Sequence, residues 1–162
     1  MEKELQKNTC GCARQSPSVS AAEFVQILRM ENVNGAGRLF GGDLIAWMDD
    51  VSAISARRYA HCPVTTACIE SLRFVRPAYQ NESMVVTGRV VWTGRTSMEV
   101  LVRAEVERFT GERDLIADGR FILVALDENE HPCPVPPLLP ETDEERRLYE
   151  EAAARHAKKI TK

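Results

Sequence analysis

Asp49 lies in a stretch, GRLFGGDLIAWMDD (Gly37 to Asp50), that otherwise reads as a helix opened by a glycine pair. Its neighbours one turn away on that helix, Ile45, Ala46, Ser52 and Ala53, carry no charge. A carboxylate in such surroundings is expected to be desolvated, which raises its pKa toward the range of a general base at neutral pH. Asp50 points about 100° further round, toward Arg57, and reads as a solvated acid. Gly41 and Gly42 stand just before the helix. Lacking side chains, they let a reacting group approach the first backbone N–H groups, which have no intrahelical partners and sit at the positive end of the helix dipole.

Other ways of using these residues fail on spacing. Gly35, Gly37 and Gly41 form G-x-G-x-x-x-G, one residue too long for a dinucleotide fingerprint, and no parallel βαβ unit follows. Gly37 and Gly42 match the outer glycines of a P-loop, but Asp43-Leu44 stands where Lys and Ser/Thr are required. Cys10 and Cys12 are one residue apart and lack a second matching pair, so no metal site is assigned. Cys62 and Cys68 read as small, packed apolar residues of a reduced, cytosolic chain.

The elements that position Asp49 follow from hydrophobic periodicity. Asp43 to Tyr59 carries Leu44, Met48, Val51 and Ser55 at helical spacing, widened by Trp47 and Ile54, with Ala46, Ala53 and Ala56 opposite. A helix apolar or small most of the way round is expected at the centre of the fold. Ala21 to Met30 suits a strand, and ENVNGAGRLFGG after it reads as a loop. After the helix, strands are expected over Val64 to Val75, Ser83 to Trp92, Ser97 to Glu107 and Leu115 to Asp127. In the second of these, Met84, Val86, Val90 and Trp92 share a face; in the third, Met98, Val100, Val102, Ala104 and Val106 alternate with Glu99, Leu101, Arg103 and Glu105. The short links TGRT and Thr110-Gly111-Glu112 imply antiparallel hairpins. The fold class is α+β: about five or six strands wrapped on one long helix. Past the proline-rich HPCPVPPLLP, Thr142 and Glu145 form a capping box, and Arg147–Glu151 and Glu151–Arg155 are spaced for ion pairs. This last helix reads as largely solvated.

With 162 residues and no internal repeat, a single domain is expected over residues 21–136, flanked by an N-terminal tail (1–20) and a C-terminal helical extension (137–162). A net charge of −3 argues against nucleic acid or an anionic membrane as partner. The N-terminus lacks the apolar segment of a signal peptide, and the longest apolar run, FILVAL, is too short to span a bilayer. A cytoplasmic location follows as the expectation.

Four segments together resemble hotdog-fold acyl-CoA thioesterases, the cytosolic acyl-CoA hydrolases most closely: NGAGRLFGGDLIAWMD (Asn34 to Asp49), VTTACIESLRFVRP (Val64 to Pro77), GRTSMEV (Gly94 to Val100) and FILVALDENEHPCPVP (Phe121 to Pro136). The resemblance implies an antiparallel sheet curled round the central helix. It also implies a dimer joined sheet edge to sheet edge, assembling further into a trimer of dimers, with active sites at the dimer interface. Asp49 matches the catalytic aspartate, as general base or nucleophile, and Asn34 the catalytic asparagine, which the partner protomer supplies. Gly41 and Gly42 match the helix entry that polarises the thioester carbonyl. Gly94, Arg95, Thr96 and Ser97 match the turn that holds coenzyme A; by their charge alone, Arg73 and Arg76 around SLRFVRP could also pair its phosphates. No cofactor is implied, because coenzyme A belongs to the substrate.

Two rival functions share this fold. A non-catalytic acyl-CoA sensor would usually bring a further domain, and the first twenty residues are short and polar. A hotdog dehydratase needs a histidine base, and His61, His131 and His156 all lie outside the helix where the chemistry is expected.

Overall fold

The computed structural model describes residues 13–160. The elements run β1 (Ala22–Ile27), α1 (Gly41–Ala60), β2 (Val64–Phe74), β3 (Ser83–Thr93), β4 (Ser97–Glu107), β5 (Arg113–Ala125) and α2 (Asp143–Ile160). Cys10 and Cys12 lie outside the described residues. Of the expected tail, Gln15 bridges to Leu138, and Pro17–Ser20 forms a 3-10 turn. Ser20 Oγ in that turn accepts a hydrogen bond from the buried Val90 amide at 2.8 Å.

The five strands form one antiparallel sheet in the order β1-β3-β4-β5-β2. The expected strands thus differ from the observed ones by at most three residues at either end. α1 lies across one face. Leu44, Met48, Val51, Ala56 and Tyr59 are at most 1% exposed and pack on Met84, Val86, Val90, Met98, Val100 and Val102, all fully buried. The alternation in β4 therefore does select the core face. Gly88 sets how closely helix and sheet approach: a Cβ there would lie 2.8 Å from Val51 Cγ1 and 2.9 Å from Ser55 Oγ.

Several expectations need correction. α1 is amphipathic rather than buried most of the way round, with Ala46, Asp50, Ile54, Arg57 and Arg58 exposed. Trp92 does not share the core face with Val90. A β-bulge between Val90 and Trp92 reverses the alternation, and Trp92 pairs with Glu99 on the opposite face of the sheet. Cys68 is exposed on β2 rather than packed.

α2 covers that opposite face, and it is anchored more firmly than a solvated helix. Its capping box forms as expected, Glu145 N–H donating to Thr142 Oγ1 and Thr142 N–H to Glu145 Oε2. The Arg147–Glu151 pair is present at 3.1 Å. Arg155, however, turns away from Glu151 to Glu99 on β4, which is fully buried and also bonds His156 Nε2 at 2.7 Å. Ala152 is buried as well.

Among the described residues no further strand pairs with the two edges of the sheet, β1 and β2. β2 is the longer, at 11 residues, and it presents the half-exposed Phe74 and Ile69. A long edge strand with apolar side chains is a template for another strand.

Candidate active site

Asp49 is reached nine residues into α1, on the rim of its core face, and is partly exposed in the single chain. It is not isolated. Thr66 Oγ1, at the start of the open edge strand β2, donates to Asp49 Oδ1 at 2.8 Å. This hydrogen bond aims the carboxylate from a second element and makes Thr66 a candidate site residue that the sequence alone did not single out. Only its place on a β-branched strand just after the helix hinted at it.

The helix start is chemically open. The residue at the cap is Phe40, which has no side-chain acceptor, and no side chain caps the first turn. The amides of Gly41 and Gly42 thus begin a 20-residue helix with the full positive end of its dipole. Gly42 is exposed, and the atoms nearest to a Cβ there would be those of the exposed Phe40 ring. Asp43 is held back from this entrance by Asn32, whose Nδ2 donates to Asp43 Oδ2 at 3.2 Å.

Asn34 lies on the exposed loop before the helix. Its Oδ1 accepts from the amides of Ala36 (2.9 Å) and Arg38 (3.3 Å), an Asx-type turn that leaves the Nδ2 end pointing outward as a donor. Gly37, at φ 71°, takes the left-handed conformation this turn requires. Asn34, Leu44, Phe74 and Arg76 line one cavity of about 320 Å³ beside the helix start. Asp49 does not line it. Eight residues along a helix amount to about 12 Å, so one protomer's Gly41 amide and its own Asp49 cannot grip the same carbonyl.

The turn between β3 and β4 stands at the other end of the helix. Gly94 N–H donates to Ser97 O at 2.8 Å, Ala125 N–H to Thr96 O at 2.9 Å and Val135 N–H to Arg95 O at 3.0 Å. The turn backbone is fixed while the Arg95 side chain projects into solvent. Arg73 and Arg76 are differently placed: each already pairs with a carboxylate of β5, Arg73 with Asp118 at 2.5 Å and Arg76 with Asp114 at 3.1 Å. Hydrogen bonding to Asp118 raises the Arg73 pKa above its ordinary value. Among the described residues no group of three or more His, Cys, Asp or Glu side chains is arranged to hold a metal ion, and no helix is long and apolar enough to cross a membrane.

Residues 36–108 match the family model of the thioesterase superfamily. The chain is 41% identical to a protein of Bacillus subtilis named as an uncharacterized acyl-CoA thioester hydrolase, YkhA, over 76% of this chain and 73% of that one. It matches the crystal structure of an apo, hexameric acyl-CoA thioesterase with a TM-score of 0.87 and 36% identity, over 92% of this chain and 96% of that one. The acyl-CoA hydrolase of Staphylococcus aureus, solved with butyryl coenzyme A, coenzyme A and coenzyme A disulfide, matches with a TM-score of 0.86 and 30% identity over 91% of each chain. Structures of that enzyme with an aspartate, an asparagine or a threonine changed to alanine match equally well. A curled antiparallel sheet on a long helix, together with these matches, defines the class: the chain belongs to the thioesterase superfamily and has its hotdog fold. Within that superfamily it is a member of the acyl-CoA thioester hydrolases.

Proposed function

We propose that this chain hydrolyses the thioester of acyl-CoA to a free acid and coenzyme A, using Asp49 of one protomer with Asn34, Gly41 and Gly42 of its partner. The observation that carries the reading is the Thr66–Asp49 hydrogen bond, which points a helical carboxylate at an unpaired sheet edge. Thr66 is third from the start of β2 and Leu72 third from its end. Two copies joined antiparallel about the centre of β2 would set these positions against each other. The far end of β2 touches the helix start, since Phe74 lies 3.5 Å from where a Gly41 Cβ would be. Such a pairing would therefore carry the partner's helix entrance toward Asp49, closing a gap that a single chain leaves open. Asn34, Asp49 and Thr66 are also separated by fifteen and seventeen residues, the same intervals as the asparagine, aspartate and threonine exchanged in the S. aureus hydrolase.

The chemistry follows from these groups. Asp49 takes a proton from water as it attacks the carbonyl carbon, or attacks directly. General-base assistance of this kind is worth on the order of 10²–10⁴ in rate. The Gly41 and Gly42 amides, with Asn34 Nδ2, receive the developing oxyanion, each good donor contributing about 3 kcal/mol. The thiolate of coenzyme A leaves, and water supplies all that the reaction needs besides substrate. Arg95 and the Gly94–Ser97 turn hold the phosphates; Arg73 and Arg76, already paired, are the weaker candidates.

In this reading residues 21–136 form the thioesterase unit, residues 137–162 an extension, and the working form is a dimer assembled into a trimer of dimers in the cytoplasm. The test is thiol release from acyl-CoAs of increasing length by wild type and Asp49→Asn. Wild type should turn over at least part of the panel and Asp49→Asn should lose about 10²-fold or more. Equal rates would refute the assignment of Asp49.

A further inference from the structure

We infer that α2 is a strut for the turn that grips coenzyme A, with Glu99 and His156 as positioning residues acting through Trp92. The inference rests on the assignment of Gly94–Ser97 to coenzyme A.

Glu99 and Trp92 are direct cross-strand partners, brought onto the outer face by the bulge that turns Trp92 out of the core. Glu99 is fully buried, and a buried carboxylate is tolerated only when its oxygens are satisfied. Both partners that satisfy it at close range come from α2: Arg155 Nη2 on Oε1 and His156 Nε2 on Oε2 at 2.7 Å. Arg120 Nε of β5 stands further off, at 3.6 Å. Glu99 thus fixes the orientation of the His156 ring, and that ring lies flat on Trp92, with centroids 3.8 Å apart and planes 14° from parallel. Trp92 in turn walls the turn. A Cβ on Gly94 would lie 3.0 Å from Trp92 Cη2 and 2.9 Å from Ser97 Oγ, so the turn backbone rests on the indole edge.

A helix that needed only to dock would do so more cheaply through apolar residues such as Ala152, because replacing buried ion pairs by apolar packing is often neutral or stabilising. The charged lock instead selects one register of α2 on the sheet and one attitude of Trp92. The consequence is a coenzyme A grip whose geometry depends on a helix outside the thioesterase unit.

The experiment compares wild type, His156→Ala, His156→Phe and Arg95→Ala, measuring the Kd of free coenzyme A, kcat and KM, the thermal midpoint, and amide exchange over residues 93–98. His156→Ala should raise Kd and KM about fivefold or more, with kcat within about twofold, as expected for a displaced binding element. Exchange at the Gly94 amide should quicken. His156→Phe keeps a ring on Trp92 but gives up the bond to Glu99, so it should recover only part of the affinity; full recovery would remove Glu99 from the strut. A fall in thermal midpoint with Kd and exchange unchanged would overturn the strut. Arg95→Ala separates the two layers: if it weakens coenzyme A binding and His156→Ala does not, only the strut fails. If Arg95→Ala has no effect on Kd, the assignment of the turn fails and takes the strut with it.

Discussion

Thr66 Oγ1 lies 2.8 Å from Asp49 Oδ1, tying the central helix to the open edge strand of the sheet. The bond fixes the aspartate by a group on an edge strand of the sheet, so in the proposed dimer, assembly and the aim of the carboxylate are mechanically linked. Thr66→Val, which keeps the shape and removes the donor, should reduce kcat about tenfold or more, with a smaller change in KM, as expected when a general base loses its orientation. Thr66→Ser retains a hydroxyl and should stay within a few-fold of wild type. Steady-state kinetics on the two variants settles the point; equal rates would show that the hydroxyl merely stabilises the strand.

Gly88 on β3 has no room for a side chain against α1, with Val51 and Ser55 both within 3 Å of the position a methyl would take. Gly88→Ala should destabilise the protein by about 1–3 kcal/mol through overpacking. A urea melt with unchanged m-value and a lower midpoint is the expected record.

The Glu145 capping box sets an acid limit on α2. Burial pushes the Glu145 carboxyl up, but the Glu141 and Thr142 amides, the Arg89 charge and the Thr142 hydroxyl outweigh it, so its pKa falls below the ordinary 4.5. A lowered carboxylate contributes stability above its unfolded pKa and loses that contribution as pH falls through the folded value. Thermal midpoints should therefore drop below about pH 4.5 in the wild type, and Glu145→Gln should show a lower plateau with a shallower acid limb.

Much of the fold was legible because most of it obeys local periodicity. The alternation of Met98 to Val106 and the stripe of Leu44, Met48 and Val51 are direct imprints of the core they face. The misreadings came where a distant partner overrode the local pattern. Trp92 continues the spacing of Val86 and Val90 in the sequence, yet one bulged residue turns it to the other face. Glu151–Arg155 has ideal helical spacing, but a buried carboxylate far away in the chain is the more demanding partner for Arg155. In the proposed site, Asp49 and the glycine pair stood out in the sequence as a lone carboxylate and an open helix entry beside the apolar stripe of Leu44, Met48 and Val51. Thr66 did not, since a threonine in a strand is ordinary and its bond to Asp49 exists only once β2 folds beside α1.

The most direct test of a site shared between two chains is complementation. Asp49→Ala and Asn34→Ala chains, carrying different tags and produced together, can be purified in tandem so that every assembly holds both kinds of chain. Each single variant alone should be nearly inactive. In a mixed dimer one site combines both lesions, while the other has Asp49 and Asn34 intact, so with random pairing, where about half the dimers are mixed, the preparation should recover about a quarter of the wild-type kcat. A mixed dimer as inactive as its parents would contradict the shared site.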